Sequence, residues 1–357
     1  MTSLRLVRAL CLTALVAACS SREHSAPRAP DPDSSAAYRH AARARKPEDP
    51  ALVWTPASVA LVAREIASGV FAVYPDDAAA KNAAGVPAAT SGGFVVGARG
   101  VLIVDTMINR ELAGQLLALI REYTDKPVLY AVNTSYHGDH SYGNQFLPPS
   151  TQVIQHVNTQ AYIQHHFPAD VAFMTRYFGA SSGLQELAPQ PAAILLHDGE
   201  TRTIDLGGKQ VEIAHLGFAQ TDGDLFVSVP ADKVLFTGNP IISAGPAIPW
   251  LLDGHGGDSL ATLRKLRAKF ADDTKVVPGH GVPTTMATVD GHIAYLAQLE
   301  REVADAIAVG LDLAATTERV TQRMQARYGA YKIYPWVHTQ LNIAKVYAEL
   351  TQRQAVR

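Results

Sequence analysis

The sequence predicts an α+β protein, and three observations carry that expectation. Short apolar runs bounded by Gly, Pro and Asn recur between Ser58 and His280, the signature of strands joined by tight turns. Two stretches, Glu111–Tyr123 and Ser259–Phe270, place leucines at helical spacing on one face. The succession of several strands followed by a helix occurs twice, which suggests two similar halves even though no convincing sequence repeat accompanies it. With 357 residues, 47% of them hydrophobic, the chain can bury a large core. Its 31 basic and 33 acidic residues nearly cancel, so nothing marks it as a nucleic-acid binder.

The N-terminus has the layout of a secretory leader. Arg5 and Arg8 precede an apolar run, Ala9 to Ala18, too short to span a bilayer. The run ends Leu15-Val-Ala-Ala-Cys19, which resembles the lipobox of bacterial lipoproteins. That resemblance implies cleavage after residue 18 and acylation of Cys19, multiple acyl chains giving the stable anchoring that one cannot. Ser20 resembles the outer-membrane sorting pattern, with the protein facing the periplasm; without lipidation it would be secreted there. Cleavage removes Arg5 and Arg8, leaving 29 basic against 33 acidic residues, a charge of −4. Cys11, the only other cysteine, leaves with the leader, so no disulfide and no cysteine ligand is expected. Residues 19–55, rich in Ser, Pro, Ala and charge, read as a flexible tether.

From Ser58 onward each element has its own signal. Val59–Ile66 alternates loosely, Ser68-Gly69 is a turn, and Val70–Tyr74 is a second strand. Gly92–Gly97 and Val101–Asp105 flank a hairpin turn at Arg99-Gly100, and the helix Glu111–Tyr123 follows. Pro127–Val132 reads as a buried strand that opens into Asn133-Thr-Ser-Tyr-His-Gly-Asp-His140. Val153-Ile154 is a short strand, followed by helices around Thr159–His166 and Ala169–Phe178. Strands are expected at Thr201–Leu206, Val211–Leu216, Asp224–Val229 and Lys233–Thr237, then the helix Ser259–Phe270. Lys275–Gly281 is a last strand ending in a histidine loop. Beyond Thr288 three helices are expected, His292–Val309, Ala315–Tyr328 and Thr339–Gln352.

His137, Asp139 and His140 put three strong metal ligands within four residues, directly after a strand. A loop can turn neighbouring side chains into one cavity, which a strand would send to opposite faces. Far downstream, His280 sits between glycines in Pro278-Gly-His-Gly281, again after a strand. A histidine in a tight turn accounts for that segment taken alone; the two segments together are specific.

Their order and setting resemble the metallo-β-lactamase-fold hydrolases, across most of residues 58–290. Gly100–Asp105, Asp125–Val128, Thr221–Asp224 and Val234–Gly238 resemble the family as well. The resemblance implies a four-layer αβ/βα sandwich over residues 56–290, with metals held by loops at one edge, and a helical extension over 291–357. The family's ligand pattern is His-x-His-x-Asp-His, a lone His, an Asp that bridges two metals, and the His of Pro-Gly-His. Here Ser135 stands at the first His, Gln220 at the lone His and Asn239 at the bridging Asp.

By that resemblance the first site would rest on Ser135, His137 and Gln220, and a hydroxyl and an amide are poor zinc ligands. The second site would use Asp139, His140 and His280, a set that holds zinc with one position open for water; Asn239 could lend it a carbonyl oxygen or orient the water. One zinc ion is therefore expected, and iron suits the same donors. A carbapenem-hydrolysing subclass works with a single zinc and has Asn where this chain has Ser135, although its Cys corresponds to Asn239. The resemblance implies a hydrolase of a small-molecule ester, thioester, amide or lactam, with Asp139 orienting water and His137 shuttling protons. Two alternatives stand beside it: a lipid-anchored binding protein without catalysis, and an iron-dependent redox enzyme. His255 is a candidate pocket residue. His215 is expected within a strand, and His156, His165, His166, His292 and His338 as surface or packing residues.

Overall fold

The structure, a computed structural model, describes residues 52–355. The expected leader, Cys19 and the tether up to residue 51 lie outside the described residues.

The first half begins with β1 (Leu61–Ala67), β2 (Val70–Pro75), the short α1 (Ala78–Ala83), β3 (Gly92–Val96) and β4 (Val101–Val104). It continues with α2 (Arg110–Tyr123), β5 (Val128–Val132), α3 (Gly138–Ser141), β6 (Gln152–His156), α4 (Val157–Phe178) and β7 (Ile194–Leu196). These seven strands form one sheet in sequence order, antiparallel from β1 to β4 and parallel from β4 to β7. The second half has β8 (Thr201–Asp205), β9 (Gln210–Ala214), β10 (Phe226–Val229), β11 (Val234–Gly238), α5 (Gly256–Lys269), β12 (Lys275–Pro278) and β13 (Thr284–Thr285). They make a six-stranded sheet ordered β13-β12-β11-β10-β9-β8, with β11 and β12 its parallel pair. The chain ends in α6 (Met286–Ala308), α7 (Leu313–Tyr328), a π-helical turn (Pro335–Asn342) and α8 (Ile343–Ala355).

Four layers follow from strands that bury both faces. On β4, Leu102 and Val104 point between the sheets, where they meet Ile213, Val227 and Phe236 of the other sheet. Val101 and Ile103 point outward onto Leu112, Leu116 and Ile120 of α2. The second sheet mirrors this: Val227 faces inward, while Phe226 packs against Leu260, Leu263 and Leu266 of α5. Residues of α6, α7, the π-turn and α8 belong to this same outer core, with Tyr295, Val320, Val337 and Val346 all buried. The expected boundary at residue 290 therefore falls inside α6, and the C-terminal helices share the core beside the second sheet.

Differences from expectation are local. The two helices expected on either side of Pro168 are one, α4, because Tyr162, Ile163, Phe167 and Phe173 all bury their side chains along it. Tertiary packing here outweighs the missing amide of one proline. The last helix starts earlier than expected, as the π-turn with Pro335 at its first position, where proline gives up no helical bond.

Candidate metal centre

The centre lies where parallel strands of both sheets end, the usual place for a site in an open α/β sheet. β4 leads into Asp105, β5 into the His137–His140 segment, β11 into Asn239 and β12 into His280. The two sheets are joined at this edge: Thr90 pairs with His280, the Ser91 amide donates to Gly279 O at 2.7 Å, and Ser91 Oγ donates to Gly281 O.

The His137–His140 loop contains one turn of helix, α3, which swings Asp139 and His140 to the same side. A buried amide lattice pins it. Asn133 Nδ2 donates to His140 O at 3.0 Å, and Asn133 Oδ1 accepts from Asn144 and Gln155, each at 2.8 Å.

Asp139 Oδ2 lies 3.6 Å from His140 Nε2 and 3.5 Å from His280 Nε2. Those separations match the edge of a tetrahedron with bonds of roughly 2.0–2.2 Å. The hydrogen bonds behind the two rings fix which nitrogens are open. His140 Nδ1 lies 2.7 Å from Asp105 Oδ2, and His280 Nδ1 lies 3.1 Å from Ala88 O. A carboxylate and a carbonyl only accept, so both Nδ1 atoms carry a proton and both Nε2 atoms face Asp139, each offering its lone pair when the ring is neutral. His140 Nε2 is fully buried without a hydrogen-bond partner. Such an orphaned acceptor beside a carboxylate is the donor chemistry of a divalent ion, and the residues fit one.

Burial disfavours the charged form at each of these groups. At Asp139 the attraction of His140 and His280 and the 2.6 Å hydrogen bond from Thr90 Oγ1 outweigh burial and hold the carboxyl below its ordinary range. At His140 the carboxylates of Asp139 and Asp105 outweigh it and raise the ring to about 9, so the ion-free ring holds a proton on Nε2 that a bound cation would replace. At His280 burial prevails and lowers the ring to about 4.

The positions associated with a first metal site are occupied differently. His137 places Nε2 3.0 Å from Asp253 Oδ2 and accepts at Nδ1 from Asn239 Nδ2, also at 3.0 Å. Both ring nitrogens are thus engaged, and His137 stands beside the Asp139–His140–His280 group rather than in it. Burial lowers its pKa, but Asp253 overrides this and the ring is more basic than usual. Ser135 is fully buried, its hydroxyl accepting from the His137 amide at 3.3 Å. Gln220 turns its amide nitrogen to Trp250 O at 3.1 Å. Asn239 Oδ1 is buried without a hydrogen-bond partner. Gly279 is required beneath it, because a Cβ there would overlap that oxygen.

His255 stands outside the cavity, beside Asp258 and Phe218 at the start of α5. His156 and His215 form a second group with Asp198, their rings stacked at 4.3 Å. There the chemistry is reversed. Both Nδ1 lone pairs are taken up by backbone amides, from Asn158 and Gly199. Neutral His156 turns a protonated Nε2 to Asp198 at 3.3 Å, and the His215 Nδ1 that lies 3.8 Å from Asp198 already accepts the Gly199 amide. Burial lowers His156 to about 3, in keeping with a packed neutral pair.

Asp139, His280, His137 and Asn239 line one end of a cavity of about 110 Å³. Trp54, Phe173, Met174, Tyr177, Phe178, Trp250, Tyr331 and Trp336 line most of the rest. Sequence reasoning did not reach Asp253, Thr90 or this aromatic wall. They are single residues from separate loops and helices, brought together only by the fold.

A four-layer sandwich with two histidines and an aspartate converging at the joined sheet edges defines the metallo-hydrolase class of α+β folds. Residues 86–280 match the model of the metallo-beta-lactamase superfamily, and the chain belongs to that superfamily. Among solved structures it is similar to the DIM-1 metallo-β-lactamase, with 18% identity and a TM-score of 0.52 over 66% of this chain and 97% of that one. It is similar to a metallo-β-lactamase from Pontibacter korlensis, with 19% identity and a TM-score of 0.50 over 67% and 99%. The inverting sec-alkylsulfatase Pisa1 from Pseudomonas sp. matches more of this chain, 82% of it and 50% of its own length, at 16% identity and a TM-score of 0.63. At such identities the likeness concerns the fold.

Proposed function

We propose that the protein is a metal-dependent hydrolase of a small-molecule ester, thioester or amide, with one catalytic ion held by Asp139, His140 and His280. The observation that carries this reading is the pair of Nε2 lone pairs turned onto Asp139, one of them buried with no partner. An ion bound there would acidify a water molecule and polarise the scissile carbonyl. Zinc and iron(II) both suit two imidazoles and a carboxylate, and zinc is the simpler assignment for hydrolysis.

The surrounding residues have separable tasks. Thr90 and Asp105 hold Asp139 and His140 in orientation through the 2.6 and 2.7 Å hydrogen bonds. His137 is the group placed to take up a proton at Nδ1, and Asp253 stabilises the resulting cation through Nε2. Asn239 can serve either form of His137, since its amide offers a donor or, once turned, an acceptor. Ser135 and Gln220 bring no anionic or imidazole donor, which favours one catalytic ion over two.

The test is metal content and hydrolysis of the purified full chain beside Asp139→Ala. The variant is expected to lose one metal equivalent per chain together with activity. Retention of both by Asp139→Ala would sink the reading. We also propose that the protein is anchored at the periplasmic face of the outer membrane through Cys19; Cys19→Ala should release it to the soluble fraction.

A further inference from the structure

The cavity wall narrows the substrate class, an inference that rests on the hydrolase reading of the same site. The ionisable lining consists of Asp139, Asp170, His137 and His280 together with the phenols of Tyr162, Tyr177 and Tyr331. Among the described residues that line the cavity there is no lysine or arginine. A substrate carrying a carboxylate or sulfate would meet two acidic side chains and no lysine or arginine, and the basic ring in the lining, His137, is already paired with Asp253 at 3.0 Å. Desolvating such a group without a partner is strongly unfavourable.

The rest of the wall is apolar and shaped. Trp250 lies parallel to the His280 ring, with centroids 6.4 Å apart, and edge-on to Trp336 at 5.4 Å. Trp54 and Phe178 meet at 4.5 Å on the α4 side. An apolar void of similar size, on the order of 150 Å³, holds one benzene ring. A space of about 110 Å³ therefore suits a single small ring or a short branched alkyl group. We infer that the site takes an uncharged ester, lactone or amide whose small apolar group sits in this aromatic cavity, its carbonyl directed at Asp139, His140 and His280.

Tyr177 of the same wall feels that geometry. Burial and then the Asp139 carboxylate raise its phenol to about 12, so this wall resists the formation of negative charge.

The experiment separates binding from turnover. Full-length protein, stripped of metal by chelation, is titrated calorimetrically with a neutral benzamide and with the same amide bearing a ring carboxylate. The neutral compound is expected to bind at least ~10-fold more tightly, because the anion has no lysine or arginine to meet and the basic His137 is already paired with Asp253. Equal or tighter binding of the carboxylate overturns the inference, whatever the protein hydrolyses. A preference for the neutral amide with no metal-dependent hydrolysis of its ester counterpart would instead count against the hydrolase reading and leave this one standing. Met174, half-buried on the cavity wall, provides a second measurement. Met174→Lys should improve binding of the carboxylate at least ~10-fold, and Met174→Gln should not; an unchanged preference in the lysine variant overturns the inference.

Discussion

Replacing Asp105 by asparagine tests the donor chemistry of the centre most directly. Asp105 is buried and accepts three hydrogen bonds: from His140 Nδ1 at 2.7 Å, the Thr134 amide at 2.8 Å and Thr134 Oγ1 at 2.9 Å. Asparagine keeps the shape and tolerates the backbone φ of 60° at this position better than most residues. Its oxygen must face the Thr134 amide, which can only donate, so its NH₂ faces His140. The Thr134 hydroxyl can rotate to accept, but His140 can satisfy an N–H donor only by moving its own proton from Nδ1 to Nε2. That proton then occupies the lone pair an ion needs.

Loss of such a carboxylate behind a ligating histidine typically weakens metal affinity ~10- to 100-fold, or about 1.4–2.8 kcal/mol. Folding should change much less, because removing a buried charge offsets the weaker hydrogen bonds. The assay is competition with a chromogenic chelator, run beside thermal melts of the metal-free protein. Zinc affinity in Asp105→Asn within about threefold of the parent would refute the assignment of His140 Nε2 as a metal donor.

Three further outcomes are expected. His137→Ala should keep the catalytic ion while lowering kcat by roughly 10²- to 10⁴-fold; loss of the ion would make His137 a ligand instead. Gly279→Ala should displace Asn239 Oδ1 and strain the Gly238–Asn239 backbone beneath it, lowering both kcat and thermal stability; unchanged kcat and melting temperature would contradict it. The metal-free protein should lose stability as pH falls from about 6.5 to about 4. Burial lowers both His292 and His338 to about 4 in the folded chain, against roughly 6.5 unfolded, so the unfolded state binds protons first. The effect is absent above pH ~6.5 and reaches on the order of 3 kcal/mol per histidine near pH 4. A denaturant midpoint that stays flat across that window would contradict it.

How much of this was legible beforehand depended on how local each signal was. β5 and the residues after it could be read because a two-sided buried strand leaves an unbroken apolar run, and three ligands follow within four positions. His280 could be read because Pro-Gly-His-Gly closes a similar run. The helical turn of α3 was not legible, since four residues are too few to show a period. Asp253 gives no sequence signal at all; it is a lone carboxylate in a loop, and only the fold carries it to His137. His156 and His215 show the opposite limit. Their positions suggested strand or packing roles, but only the direction of two backbone amides separates that pair from a metal site.

The C-terminal helices have a consequence for how such a site diversifies. Trp336 and Tyr331 reach the cavity from the chain beyond α7, and Lys345 of α8 is held near the Asp253 carboxylate. Every ligand comes instead from loops of the two sheets. Exchanging the final thirty or so residues would therefore recut the chamber and retune His137 while leaving the ion's own cage untouched, so selectivity and metal chemistry can drift apart in separate stretches of one gene.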